Sequence, residues 1–372
     1  MQPGSIGFGP LLGRLLRGKR RWALAALGGA LVVGAGFALG QSKPAVPEKI
    51  EAVEVHATPI AAFDKTDTER TRFGKLTWRG GLVLTSTSPS FGGFSALALD
   101  KNGHDLLALT DAGAWMLGVL TYDGDKPAGV RSVRMGPILS PSSETDEPED
   151  HDSEGVAIVA GSTRKGEALV SFERKHRIAV LDLDDAGFSA VRRYLPLPDA
   201  IADAGDNRGL EGLTVLQGGP YKGSVVAFAE KLLDKSRNHT GWIWVEGKPQ
   251  AFHLAREDGF DVTDTAALPD GGLLVLERRF RVPEGVRTRL RLIRSSELKP
   301  GALVHGERLL DASMDQEIDN MEGLAVFPRA EGTVVVTMTS HDNITHRLPR
   351  PFLLLFATAW PDLAVCGPRR RS

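Results

Sequence analysis

A single cysteine, Cys366, stands among the 372 residues, so no disulfide can close within the chain and its stability must come from a buried core. Basic charge is not in surplus. Lys and Arg number 45 against 47 Asp and Glu, a net charge of −2, and the basic residues are scattered, which excludes the electrostatic footprint of a nucleic-acid binder. No G-x-S-x-G elbow occurs, so the hydroxyl residues give no support to a serine-esterase triad. Only one long run lacks charge, which excludes an integral-membrane function needing several spans, and no convincing amphipathic helix lies beyond it. With 42% hydrophobic residues the chain can still bury one large core or two ordinary ones.

The uncharged run is Trp22–Leu39, eighteen residues preceded by the basic stretch RLLRGKRR at Arg14–Arg21. As a helix it spans about 27 Å, slightly short of a hydrocarbon core, and four glycines weaken it. Small residues at Ala38-Leu39-Gly40 suit a signal peptidase. Three readings stay open: a cleaved export signal, an uncleaved anchor in the inner membrane, or an unrelated buried helix. In the first two the basic flank stays in the cytoplasm and the rest is exported, to the periplasm or beyond.

Beyond residue 72 the chain is punctuated by short apolar runs. Gly323–Phe327 and Thr333–Thr339 flank the turn residues Pro328-Arg-Ala-Glu-Gly332, which predicts a β-hairpin. The same pattern opens at Ser95, Glu154, Glu211, Asp264 and Glu322, at intervals of 59, 57, 53 and 58 residues. Each copy continues with a Gly-containing turn, an apolar strand and further β-rich runs. Four strands per 50 to 60 residues is the arithmetic of a propeller blade. The expected fold is therefore all-β, a single β-propeller of four-stranded blades, with five repeats counted and six blades allowed. Lys75–Thr85 supplies a strand near the start, and the last copy lacks strands after Phe352–Thr358, so these two regions are expected to pair and close the ring. The chain divides into a basic region 1–21, the export segment 22–40, a linker 41–72, the propeller 73–358 and a tail 359–372 of no recognised pattern.

Hairpin geometry puts both ends of each pair on one face. Before the first strands stand Ser95, Glu154, Glu211, Asp264 and Glu322; after the second strands stand Asp111, Glu173-Arg174, Glu230-Lys231, Glu277-Arg278 and Ser340-His341-Asp342. Two carboxylates about 6 Å apart repel by roughly 3 kcal/mol at an effective dielectric near 20, so such a ring must be neutralised. Either Arg174, Lys231, Arg278 and Arg279 form a salt-bridge girdle, or a divalent cation sits among the acids. Hard oxygen donors favour calcium or magnesium over zinc. The loops EDHDSE at Glu149–Glu154, DNRGLE at Asp206–Glu211 and DNME at Asp319–Glu322 add oxygen donors, and His151 and His341 lie within reach. The same residues could instead only cap the blades and pair between them.

The motifs GGFSALAL, DSEGVAIV, GLEGLTVL, LPDGGLLVLERRF and DNMEGLAVF with its SHDN resemble the exported bacterial "esterase-like activity of phytase" family, also called phytase-like, over residues 74–357. Ser95 departs from the acid of the other copies. The resemblance implies a propeller related to calcium-dependent phytases and a hydrolase of phosphate or other esters. Under it, calcium is expected on Glu154, Glu211, Asp264 and Glu322, with Asp111 and Asp342 as outer donors. Arg174, Lys231 and Arg278 would grip a small anionic or ester substrate, and Glu173 or Glu277 would take the proton. The rival is an exported binding or scaffold propeller whose ring holds an ion or anion without turnover. Composition leaves the oligomeric state open.

Overall fold

The computed structural model describes Met1 and residues 44–138, 151–189, 191–202, 209–329, 332–341 and 349–359. All of the strands belong to the unit Lys43–Ser372. The expected export segment at Trp22–Leu39 and the tail after Ala359 lie outside the described residues.

Five separate sheets succeed one another along the chain, and each runs outward from one inner strand. Blade I is Phe94–Leu99, Asp105–Thr110, Ala114–Asp123 and Lys126–Pro137. Blade II is Ser153–Gly161, Gly166–Phe172 and Arg177–Asp184, with the short Gly187–Phe188 and Arg193–Tyr194 sharing its outer edge. Blade III is Leu210–Val215, Val225–Leu233, His239–Val245 and Lys248–Leu254, edged by Leu303–Val304 in parallel. Blade IV is Asp261–Ala267, Leu273–Arg281, Gly285–Ile293 and Glu307–Ala312. Blade V is Met321–Arg329, Thr333–Ser340 and Phe352–Ala359, completed by Leu76–Thr85. This is a five-bladed β-propeller, and among the described residues the only helix is the single turn Asp199–Ala202.

The closure is the one the sequence predicts: Phe352 to Ala357 pair antiparallel with Val83 to Thr77. No sixth blade is needed, because N-terminal strands fill the outer places. The expected boundary at residue 73 is corrected by the same strands. His56–Ile60 pairs with Leu76–Thr85 on blade V, and Glu51–Ala52 pairs with Lys126–Pro137 on blade I, so much of the stretch expected as a linker belongs to the propeller. Such edge strands are short and polar, which makes them weak signals, yet they cover sheet edges that would otherwise stay open.

Alternation of period two divides each blade between its neighbours. In blade I, Leu107 and Leu109 pack against Val170, Phe172 and Leu181 of blade II, while Leu106 and Ala108 pack against Val335, Leu353 and Leu355 of blade V. Three more clusters fill the II–III, III–IV and IV–V interfaces, so five interfaces close on themselves. The IV–V cluster also holds Phe63, Phe73, Trp78 and Phe356, whose ring centroids lie 5.0–6.3 Å apart. Phe63 comes from the stretch expected as a linker, and it ties that segment to the core.

Candidate functional site

The first strand of every blade is interrupted at the same place. Pairing skips one residue beside Phe94/Ala96, Ser153/Gly155, Leu210/Gly212, Val262/Asp264 and Met321/Gly323. The residues left over are Ser95, Glu154, Glu211, Thr263 and Glu322, one β-bulge per blade. A bulge adds an unpaired residue, bends the strand and re-aims its side chain. Here it turns three glutamates toward one axial cavity. The two hydroxyl residues do something else: Ser95 Oγ donates to Ser153 O at 2.6 Å and Thr263 Oγ1 donates to Met321 O at 3.0 Å, each stapling its blade to the next.

The cavity, about 240 Å³, is lined by Asp111, Asp152, Glu154, Glu173, Arg174, Glu211, Glu230, Lys231, Arg278, Glu322 and His341. Among the described residues, seven carboxylates face three permanent cations, which leaves four negative charges when all are ionised. The cations are held among the acids. Arg174 Nε lies 2.6 Å from Asp152 Oδ2, and Lys231 pairs with Glu230. Arg278 reaches Glu230 Oε1 at 3.1 Å and Glu322 Oε1 at 3.5 Å, and Asn320 donates to Glu322 Oε1 at 2.6 Å. Glu173 Oε1 accepts from Gly209 N at 3.0 Å, and His341 Nε2 stands 3.3 Å from Asp111 Oδ2.

This crowding reaches the protonation states. Burial, then the charges of Asp152, Glu322, Glu173 and Asp111, pushes Glu154 well above the usual carboxylate range. Burial, then Glu154, Glu230 and Glu173, does the same to Glu211. Glu173 is raised by burial too, against the pull of the Gly209 amide, with Asp152 and Glu230 adding to it. For Arg278, burial works against the charge, but Glu322, Glu230 and Glu211 outweigh it and hold the guanidinium above its ordinary value.

Of the residues singled out in the sequence, Asp111, Glu154, Glu173, Arg174, Glu211, Lys231, Arg278, Glu322 and His341 are brought together here, and Asp342 lies outside the described residues. Asp264 and Glu277 are not in the cavity, and one cause explains both. Blade IV runs one residue out of phase with the spacing read from its sequence. The bulge falls on Thr263, so Asp264 takes the place of Gly155, Gly212 and Gly323. There its oxygens accept from Thr265 N at 2.7 Å, from Leu324 N at 2.6 Å and from the amide of Leu213, which leaves little of the carboxylate for a metal. On the partner strand, Arg278 rather than Glu277 takes the place of Asp111, Glu173 and Glu230. Glu277 is fully buried in the sheet instead, gripped by Arg291 through Nε–Oε2 at 2.6 Å and a second contact. Arg279 pairs with Glu284 outside the cavity.

Asp152, expected only as part of an oxygen-donor loop, and Glu230, expected only as a member of the ring, complete the set. Asp152 precedes the bulge residue by two, as Asn320 does in blade V, and that repeated offset was the available signal. Asp152, Glu154 and Glu173 each offer one oxygen within 4.8 Å of the others. Two oxygens on one calcium ion at about 2.4 Å each cannot be more than about 5 Å apart, so this trio fits a shared ion.

The fold and this cavity define a five-bladed propeller with an acidic, cation-threaded pocket at one end of its axis. The model of the family described as esterase-like activity of phytase, or phytase-like, matches residues 89–344, and the chain belongs to that family. No curated protein matches the chain. Among solved structures, it is similar to a protein of unknown function from Dyadobacter fermentans DSM 18053, with 13% identity over 85% of this chain and 97% of the other at a TM-score of 0.40. It is also similar to the Dos1 propeller, with 10% identity over 76% of this chain and 74% of the other at a TM-score of 0.34.

Proposed function

We propose that the axial cavity binds calcium and that the protein is an exported, calcium-dependent hydrolase of phosphate esters. One observation carries the reading: among the described residues, seven converging carboxylates against three cations leave a buried negative site that an anionic ester could not enter alone. Asp152, Glu154 and Glu173 would hold the ion, with Glu211 and Glu322 in the same cavity. Bound there, calcium would polarise an ester oxygen and lower the pKa of a water.

The remaining roles belong to the chain. Arg278 and Lys231 lie where they can turn from Glu230 toward phosphate oxygens, and Arg174 can do so from Asp152. Burial and then Glu154 hold Glu211 well above the usual carboxylate range, which makes it a stronger base and suits a group that accepts a proton. It takes the place of Glu173 and Glu277 in that role. Every described lining residue is charged or a histidine, so a long acyl chain would meet almost no apolar surface there. A compact, charged head such as a phosphate monoester is favoured over a lipid-like carboxylic ester.

A second reading, a binding propeller without turnover, is favoured by the fact that each cation of the cavity already pairs with a carboxylate. Calorimetric titration with calcium, then phosphate release from a panel of monoesters with calcium or with chelator, separates the two. Chelator-sensitive release supports the hydrolase; calcium and phosphate binding without release supports the binder.

Export rests on the basic flank before Trp22–Leu39. No helix among the described residues is long and apolar enough to cross a membrane. A reporter active only after export, fused at Pro44, should be active; activity confined to the cytoplasm refutes export.

A further inference from the structure

The inner strands do not end at the acidic cavity. One residue past each bulge the axis narrows to a layer of Ala96, Gly155, Gly212, Asp264 and Gly323. A Cβ on Gly155 would sit 2.8 Å from Leu213 Cβ and 2.9 Å from Glu211 O, so neighbouring blades approach there as closely as backbone allows. Asp264 spans this layer, bound to the amides of blades III, IV and V. Beyond it the axis opens again toward the other face of the disc, into a chamber of about 650 Å³ walled by all five inner strands.

Charge is sparse in this chamber where it is dense in the acidic cavity, and Thr163, Thr214, Thr265 and Gln217 add neutral polar groups to its wall. Its next layer is Ala98, Ala157, Thr214, Ala266 and Ala325, and then come aliphatic chains such as Ile158, Val159 and Val326. Among the described residues, Asp100 and Lys101, in the turn after the inner strand of blade I, are its only charged lining residues. Each inner strand is the last of its sheet, so its free edge, with backbone N–H and C=O groups, faces the axis. Val159 is 39% exposed within it.

We propose that this second chamber is a binding site for a small neutral molecule that joins apolar surface to an amide group. Its volume lies in the range of about 300–1,000 Å³ typical of ligand sites. Alanine, valine and isoleucine walls would desolvate a charged ligand without compensating it, whereas an amide can pair with an exposed strand edge as an added strand does. The Asp264 layer closes the inner end, so the ligand enters and leaves by the far face and does not reach the carboxylates.

The test is saturation-transfer NMR on the full chain with N-acetyl-leucinamide as the neutral probe and N-acetyl-leucine as its anionic counterpart. Saturable binding of the amide is expected, at least tenfold tighter than the anion. Ala160→Trp, at an exposed lining position, should weaken it at least tenfold while leaving calcium titration at the acidic cavity unchanged. Val326→Trp serves if the first variant does not fold. Absence of saturable amide binding, equal binding of the anion, or equal binding to the filled variant overturns the proposal. None of these outcomes bears on the calcium site.

Discussion

Asp264→Ala should be among the most damaging single changes in the molecule, although the residue touches neither the acidic cavity nor a core cluster. Its carboxylate accepts from Leu324 N at 2.6 Å, from Thr265 N at 2.7 Å and from the amide of Leu213, and so joins three blades at the axis. These strands are the innermost of their sheets and have no further strand to pair with. Truncation would leave three buried donors unpaired at about 1–3 kcal/mol each, so the expected loss, allowing one donor to recover a water, is roughly 2–6 kcal/mol. Asp264→Asn should not rescue it, because one acceptor oxygen becomes a donor facing an N–H group. Burial pushes this carboxyl well above the usual carboxylate range, and the three amide donors, which favour the ionised form, offset that only in part. Urea unfolding at a fixed pH, with m checked between variants, measures the effect. An Asp264→Ala protein within about 1 kcal/mol of the parent would refute the reasoning, and so would an intact fold that has lost calcium binding, since that would make Asp264 a ligand.

Three other outcomes are expected. Glu154 and Glu211 have folded pKa values above their unfolded ones, so the stability they contribute is complete below the ordinary carboxylate range and is lost as pH rises through the raised values. Without metal, the melting temperature should therefore fall from about pH 5 to 7, calcium should restore it, and Glu154→Gln should flatten the slope and abolish the calcium response; a metal-free melting curve indifferent to pH would contradict this. Arg278→Ala should weaken phosphate binding about ten- to a hundredfold, the worth of one charge-assisted contact, while calcium affinity holds or rises as a local positive charge is removed; unchanged phosphate affinity in calorimetry would confine the arginine to pairing with Glu230 and Glu322. Glu277→Ala should cost about 3–5 kcal/mol by stranding Arg291, and Glu277→Met with Arg291→Leu should recover most of it; a stable Glu277→Ala protein with abolished ester hydrolysis would return Glu277 to the reaction.

Much of this could be read from the chain alone, because propeller blades are nearly local objects. Each hairpin is written in contiguous apolar runs and turn residues, the period repeats five times, and the pairing of Lys75–Thr85 with Phe352–Thr358 comes from counting strands. That acids from several blades share one end is likewise a consequence of antiparallel return. Tertiary structure decided the phase. A bulge shifts register by one residue, and nothing in the string LPDGGLLVLERRF says that blade IV presents Thr263 where its neighbours present Glu211 and Glu322, or Arg278 where blade III presents Glu230. One residue of phase separates Glu277, sealed in the sheet by an arginine from the next strand, from Arg278 in the cavity. It likewise makes Asp264 a bond between blades. The short edge strands Glu51–Ala52 and His56–Ile60, the division of the axis into an acidic cavity and an aliphatic chamber, and the partners of each carboxylate all depend on residues distant in the chain. Local pattern therefore sets which strands form, while the close approach of five inner edges around one axis sets which side chains meet there.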